Sequence, residues 1–344
     1  MSYLYEYLIF LAEAITIVVA IIVVISSIVS LGMRQQDPHE KGHLEVTKLN
    51  DRLRNMRHAM EASVLPEDTV KKRHKQEAKS EEQAQKAQAA QMKAEHDAPA
   101  RAYVLRFEGD IKASHVDYLR LEVSALLTMA CPADEVVVCL ESPGGMVHGY
   151  GLAASQLTRI RNKGIPLTSV VDRVAASGGY MMAAVAQKVV AAPFALVGSI
   201  GVLAQVPNVH RWLKKNDVDV EIITAGKYKR TLTTLGENTE EGRQKFIEEM
   251  EDVHNLFQEF VAENRPGLEL EKVATGEAWY GKRALDLNLV DELATSDEYL
   301  MNLCQERDVY ELKWVIQQKP IDKLFGKVHG LLDQASQMME IWRR

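Results

Sequence analysis

Residues 135–186, EVVVCLESPGGMVHGYGLAASQLTRIRNKGIPLTSVVDRVAASGGYMMAAVA, decide the fold. EVVVCL (135–140) and PLTSVVD (166–172) are short apolar runs rich in β-branched residues, the signature of strands buried on both faces. Between them, residues 147–163 place apolar side chains at helical spacing, and a second apolar helix, YMMAAVA, follows the second strand. Strand, helix, strand, helix in this order is the βαβ pattern of a mostly parallel sheet.

The pattern extends outward in both directions. YVLRF (103–107) reads as a preceding strand, residues 115–129 as its crossover helix, and KVVAA (188–192) as a following strand. Residues 189–206 form an uncharged run, but Pro193, Gly198 and Gly201 divide it into two strands rather than a membrane span. The expectation is an α/β peptide-chain core over residues 100–310.

Both strands end in glycine-marked turns that open a helix. In the first, Gly144 and Gly145 can take backbone angles closed to other residues and expose N–H groups at a helix start, where an oxyanion could be held. A tight strand-to-helix connection explains the same residues. In the second, Ser177 precedes Gly178 and is flanked by small residues that leave its hydroxyl accessible. That arrangement suits a nucleophile on a strand-to-helix turn, although the G-x-S-x-G pattern is missing, and it equally suits a helix N-cap.

A serine nucleophile needs a base. His148, His210 and His254 are candidates, without any aspartate spacing that marks a triad. A third turn, TAGKYKR (224–230), follows the strand-like run VEII and offers Lys227 and Lys229. A lysine that accepts protons near pH 7 must bring its pKa down from about 10.4, a desolvation effect of about 4 kcal/mol.

The N-terminal third differs in composition. Residues 14–33 carry no charge and as a helix would span about 30 Å, the thickness of a bilayer's hydrocarbon. The first seven residues hold no Lys or Arg and no small-x-small cleavage site follows, so the segment is expected to be a retained transmembrane anchor (1–33). Tyr3, Tyr5 and Tyr7 suit an interfacial belt. Residues 34–99, with KQEAKSEEQAQKAQAAQMKAE at 75–95, are polar and poor in large apolar residues, which predicts a solvated helical stalk or linker. The tail, 311–344, contains LFGKVHGLLDQASQMMEIW, an amphipathic helical pattern.

Across all 344 residues, 41 Lys+Arg face 48 Asp+Glu, a net charge of −7 that excludes a basic nucleic-acid footprint. Three cysteines, Cys131, Cys139 and Cys304, are too few and too scattered for a disulfide framework or zinc module and read as core thiols. No G-x-x-x-x-G-K-[ST] segment is present, so ATP-driven unfolding would need a partner.

ESPGG (141–145), RVAASGGYMMA (173–183), ALVGSIGVL (195–203), TAGKYKR and TGEAWYGKRALDLNLVDEL (275–293) occur in this order and spacing. Together they resemble the signal peptide peptidase A family of membrane-bound serine proteases, and within it the inner-membrane SohB-type branch. The resemblance implies a Clp protease/crotonase-like spiral of βαβ units, preceded by one transmembrane helix and a polar stalk. It implies a Ser–Lys dyad with Ser177 as nucleophile and Lys229 as general base, Lys227 being an ordinary neighbour. Gly145 and Gly178 would supply the oxyanion N–H groups, and Ser199 would orient the lysine.

It further implies no metal or other cofactor, peptide or unfolded-protein substrates, and a bilayer as a physical partner. Long members of the family carry two copies of the fold and this chain has one, so a ring-like homo-oligomer with sites shared between subunits is expected. The six Lys and Arg that follow the anchor by residue 57 favour a cytoplasmic domain, whereas the family implies an exported one; the expectation is a single-pass inner-membrane protein with a periplasmic catalytic domain. The alternatives are a Clp-like Ser-His-Asp peptidase using His210 or His148, and a non-catalytic membrane scaffold of the same fold.

Overall fold

The computed structural model describes residues 42–94 and 100–316, together with Phe10, Leu11, Glu13, Thr16 and Ile17. Among the described residues no helix is long and apolar enough to cross a membrane. The anchor expected at 1–33, apart from those five residues, and the amphipathic pattern at 324–342 lie outside them.

Leu44–Trp314 form a compact unit. Its centre is a run of parallel strands in sequence order: β2 (Arg101–Glu108), β3 (Glu135–Ser142), β4 (Leu167–Ala176) and β5 (Lys188–Ala191). Helices α3 (Val116–Leu126), α4 (Val147–Asn162) and α5 (Gly178–Ala184) make the crossovers. Strands and helices over residues 103–192 thus alternate as the apolar patterning predicts. This sheet of successive βαβ units fits the expected Clp/crotonase-like fold.

Alternate strand residues feed two separate cores, as a period of two requires. Leu105, Phe107, Val136, Val138 and Val171 pack against α3, α4, α5 and the long helix α7 (Glu240–Asn264). Val104, Val137, Cys139, Val170 and Val190 meet Leu49, Leu300 and Leu303 on the other face. Burial on both sides explains why these strands are uninterrupted apolar runs.

The domain is larger than its expected limits. Strand β1 (Gly42–Lys48) and the last strand, β9 (Asp308–Ile316), extend the sheet in the order β1-β9-β2-β3-β4-β5-β8, with β8 at Glu292–Leu293. A boundary at residue 310 thus cuts through β9, which pairs in parallel with β2 from Arg101↔Asp308 to Val104↔Glu311. The expected stalk likewise begins inside the domain. In α1 (Leu49–Val64), Leu49 is buried and Asn50 donates to the carbonyls of Cys304 and Arg307 while accepting from Val309 N–H. Only α2 (Glu67–Ala94) matches the expected solvated helix, its described side chains being mostly exposed.

An ion pair ties the end of α7 to the β5–β8 edge of the sheet. Arg265, at the end of α7, makes a two-pronged contact of 2.6 and 2.8 Å with Asp291, which also accepts from Val189 N–H at 2.7 Å. The cysteines are unpaired: Cys139 is buried and its thiol is pushed up to about 11 by desolvation, Cys304 is half-buried, and Cys131 is exposed rather than a core thiol.

Candidate active site

Strand β4 ends at Ala176 and α5 begins at Gly178, so Ser177 alone makes the turn between them. Its backbone stands at φ 52°, ψ −119°, a region that costs a non-glycine residue about 1–3 kcal/mol. This is the strained strand-to-helix elbow that lifts a side chain off the sheet edge. Two hydrogen bonds hold it: Ser177 N–H donates to Gly198 carbonyl at 2.8 Å, and Ser177 carbonyl accepts from Met181 N–H at 2.9 Å. Ser177 occupies the N-cap position of α5, yet its hydroxyl caps no N–H group and it is half-buried. The capping explanation for this serine therefore fails.

The first glycine turn is pressed against this elbow. Gly144 has φ +87°, and a Cβ placed on it would lie 2.7 Å from Ala176 carbonyl and from Ser177 Cβ, and 2.8 Å from Gly178 N. Gly145 is excluded from carrying a side chain by Ile111 carbonyl, which also accepts from Met146 N–H at 2.8 Å. Among the described residues the N–H groups of Gly145 and Gly178 donate no hydrogen bond. At Gly178 that follows from its place as first residue of a helix.

The third glycine segment also docks here. Strand β6 (Leu196–Gly198) pairs with the end of β4, and Gly198 carbonyl is the acceptor for Ser177 N–H. Ser199, at φ 52°, donates its N–H to Glu277 carbonyl at 2.6 Å and its hydroxyl to Gly276 carbonyl at 3.3 Å. Gly276 and Glu277 lead into the antiparallel strand β7 (Ala278–Tyr280), so the ALVGSIGVL and TGEAWYGKR motifs meet through these bonds. His254, from α7, reaches Ile200 carbonyl at 3.3 Å.

The Lys229 amine makes no hydrogen bond to Ser177 within the chain. It lies in the irregular stretch between β6 and α7, broken only by the short helix α6 (His210–Lys215). The strand expected at VEII does not form: Ile222 and Ile223 are exposed, Ile223 at 91%. Lys229 N–H donates to Gly226 carbonyl, but its exposed side chain makes no hydrogen bond or ion pair with the described residues, Ser199 included. Lys227 pairs with Glu241 at 2.7 Å, and its hydrogen bond to that carboxylate raises its pKa, holding it protonated. A cleft of about 220 Å³ beside it is lined by Ile222, Thr224, Lys227, Tyr228, Arg230 and Glu241, and contains neither Ser177 nor Lys229.

The histidines fare no better as partners. Among the described residues none of His148, His210 and His254 bonds Ser177 or pairs with a carboxylate, so no Ser-His-Asp arrangement is assembled. No cluster of three or more His, Cys, Asp or Glu capable of holding a metal occurs among the described residues. Sequence reading passed over Ser142 and Tyr150, both wholly buried directly behind the glycine turns. A tyrosine on a helix's apolar face reads as core, and only its packing against Gly178 distinguishes it.

Residues 2–157 match the N-terminal region of peptidase family S49 and residues 159–310 match peptidase family S49 itself. The chain is 49% identical to "Probable protease SohB" of Haemophilus influenzae, over 93% of this chain and 91% of that protein. It is 49% identical to "Probable protease SohB" of Buchnera aphidicola subsp. Acyrthosiphon pisum, over 67% and 69%. With "Protease 4" of Salmonella typhi it shares 26% identity over 67% of this chain and 37% of that protein. Family matches that run almost the whole length, with near-complete coverage at 49% identity, establish that the chain is a protease belonging to peptidase family S49.

Proposed function

We propose that this protease is a membrane-anchored serine endopeptidase in which Ser177 is the nucleophile and Lys229 of a neighbouring subunit is the general base. The observation that carries the reading is the Ser177 elbow: a strained serine whose hydroxyl caps no N–H group, beside two glycine N–H groups without partners among the described residues.

In the proposed reaction the neutral lysine amine takes the Ser177 proton as the oxygen attacks a peptide carbonyl. The negative charge that develops on the carbonyl oxygen is held by the N–H groups of Gly145 and Gly178. The lysine then returns the proton to the departing amine, leaving an acyl-enzyme that water hydrolyses with the same lysine as base. Substrates on this reading are extended or unfolded chains, such as cleaved signal peptides and damaged membrane or exported proteins. The anchor would be residues 1–33, and the domain would face the periplasm.

The shared site is supported by what surrounds Lys229. A lysine that must lose its proton has to be desolvated, and within one chain Lys229 is exposed. The same stretch exposes Leu203 at 87%, Trp212 at 65%, Ile223 and Leu235, apolar side chains that a second copy would cover. A second copy covering that surface would bury the lysine next to its own Ser177.

The test is hydrolysis of an unfolded protein by the detergent-solubilised full chain. Ser177→Ala and Lys229→Ala should abolish cleavage and His210→Ala should leave it intact. Activity in Lys229→Ala with loss in His210→Ala would replace the dyad by a triad. An intact wild-type oligomer that cleaves nothing would favour the scaffold.

A further inference from the structure

Ser142 and Tyr150 lie behind both glycine turns and both are fully buried. Gly144 N–H donates to Ser142 Oγ at 3.1 Å, Ser142 Oγ meets Tyr150 Oη at 2.5 Å, and Tyr150 Oη donates to Asp110 carbonyl at 2.8 Å. The two hydroxyl protons have no freedom in this chain. A backbone N–H can only donate and a carbonyl can only accept, so Tyr150 must give its proton to Asp110 and Ser142 must give its own to Tyr150. The result is a one-way relay from Gly144 N–H to Asp110 carbonyl with every proton used. Burial also pushes the Tyr150 phenol pKa up, which keeps that proton in place.

The relay is boxed in on all sides. A Cβ on Gly109 would lie 2.3 Å from both Ser142 Oγ and Tyr150 Oη, so only glycine leaves room for the hydroxyl pair. The Asp110 end is itself stiff: its carboxylate accepts from Ser114 N–H at 2.7 Å and Ser114 hydroxyl at 2.8 Å, and its carbonyl also accepts from Ala113 N–H.

From this one position Tyr150 touches one proposed oxyanion donor, Gly178, and is connected to the segment carrying the other through Ser142 and Asp110. Its ring is the floor beneath Gly178, where an added Cβ would fall 2.3 Å from Tyr150 Cγ. Its hydroxyl fixes Gly144 through Ser142, and it fixes Asp110, whose neighbour Ile111 supplies the carbonyl against Gly145. Tyr150 and its hydroxyl partner thus support the backbone on both sides of the Gly145 and Gly178 pair.

We propose that Tyr150, acting through Ser142, is a positioning residue that holds the two oxyanion-binding glycines at their working separation. The proposal rests on the reading of Ser177 as nucleophile and of Gly145 and Gly178 as oxyanion donors. Neither hydroxyl touches the substrate.

The experiment compares wild type, Tyr150→Phe, Ser142→Ala and the double variant as full chains in detergent, with Ser177→Ala as control. It measures KM and kcat on a peptide, and Ki for a peptide aldehyde, whose hemiacetal oxygen occupies the oxyanion site. Displaced donors should lower kcat about 10–100-fold with KM within about twofold. Ki should weaken by the same factor as kcat/KM falls, and the double variant should be no worse than the poorer single one. A purely structural role reduces the number of active molecules, so kcat would fall while Ki stayed at the wild-type value; that result, or unchanged kcat, overturns the proposal. Wild-type activity in Ser177→Ala would instead sink the nucleophile reading itself. Should neither variant fold, hydrogen exchange at Gly144 in the wild type decides. The relay requires exchange at least about a hundredfold slower than in an open loop, slowing further with aldehyde bound, and open-loop exchange overturns it.

Discussion

A Cβ added to Gly144 would lie 2.7 Å from the Cβ of Ser177, so the first glycine turn and the serine elbow are packed at a distance that only glycine permits. Residues 33 positions apart are thereby locked into one surface, and the lock has no slack in either direction.

Gly144→Ala should accordingly fail twice. The new methyl meets Ala176 carbonyl and Ser177 Cβ, and the φ of +87° is unfavourable for any side chain. We expect a loss of about 2–4 kcal/mol in unfolding free energy. Proteolytic activity of the folded fraction should fall at least about a hundredfold, read by denaturant titration alongside active-site-normalised hydrolysis.

Ser177→Gly should be more stable than wild type and inactive. Glycine accepts φ 52° without the strain that serine bears, and no capping bond is lost. The expected gain is about 1 kcal/mol, or about 2–4 °C in Tm by calorimetry. Ser177→Ala keeps the strain and should melt within about 1 °C of wild type. A drop in Tm for Ser177→Gly would show that the elbow is not strained.

The proposed sharing of sites between subunits would make two inactive variants complementary. Mixing Ser177→Ala with Lys229→Ala in equal amounts, with subunit exchange, should restore about a quarter of wild-type activity, the chance that an intact serine meets an intact lysine. A mixture as inactive as its components would place both groups in one chain. Lys227→Ala, which removes an exposed pair with Glu241 and a contact with Tyr228, should leave activity within about twofold.

Glu122 provides a pH test independent of catalysis. Its carboxyl is buried at 2% exposure, with one oxygen accepting from Trp314 N–H and the other without a partner. Burial outweighs that hydrogen bond and raises its pKa above the ordinary value of 4.5. The folded protein therefore holds this proton more tightly than the unfolded chain, and stability falls as pH rises from the unfolded pKa through the folded one. Glu122→Gln should raise Tm at pH 7, and the difference should vanish near pH 4. An equal or larger gain at pH 4 would mean that packing, not charge, is the cause.

The alternation of strands and helices over residues 103–192 was legible because strands buried on both faces must be continuous apolar runs and crossover helices must be amphipathic. The edges of the sheet were not. GHLEVTK at β1 is short and its residues are partly exposed, so its only strong signal is a partner 260 residues away. DVYELKWVI at β9 was divided at residue 310 for the same reason, since its pairing with β2 is invisible in local composition. VEII looked like a strand and is none, because its apolar side chains are exposed within a single chain.

The sequence by itself determined which residues could take special backbone angles and which could act as nucleophile or base, because residue chemistry and glycine's lack of a Cβ are local properties. Tertiary structure alone decided which of them meet. It set the strained φ of Ser177, left its hydroxyl uncapped, pressed Gly144 onto it and placed Tyr150 beneath Gly178. It also left Lys229 exposed and without a bond to Ser177 within one chain. Contacts between residues far apart in sequence depend on how the βαβ units pack, and no local spacing encodes that distance.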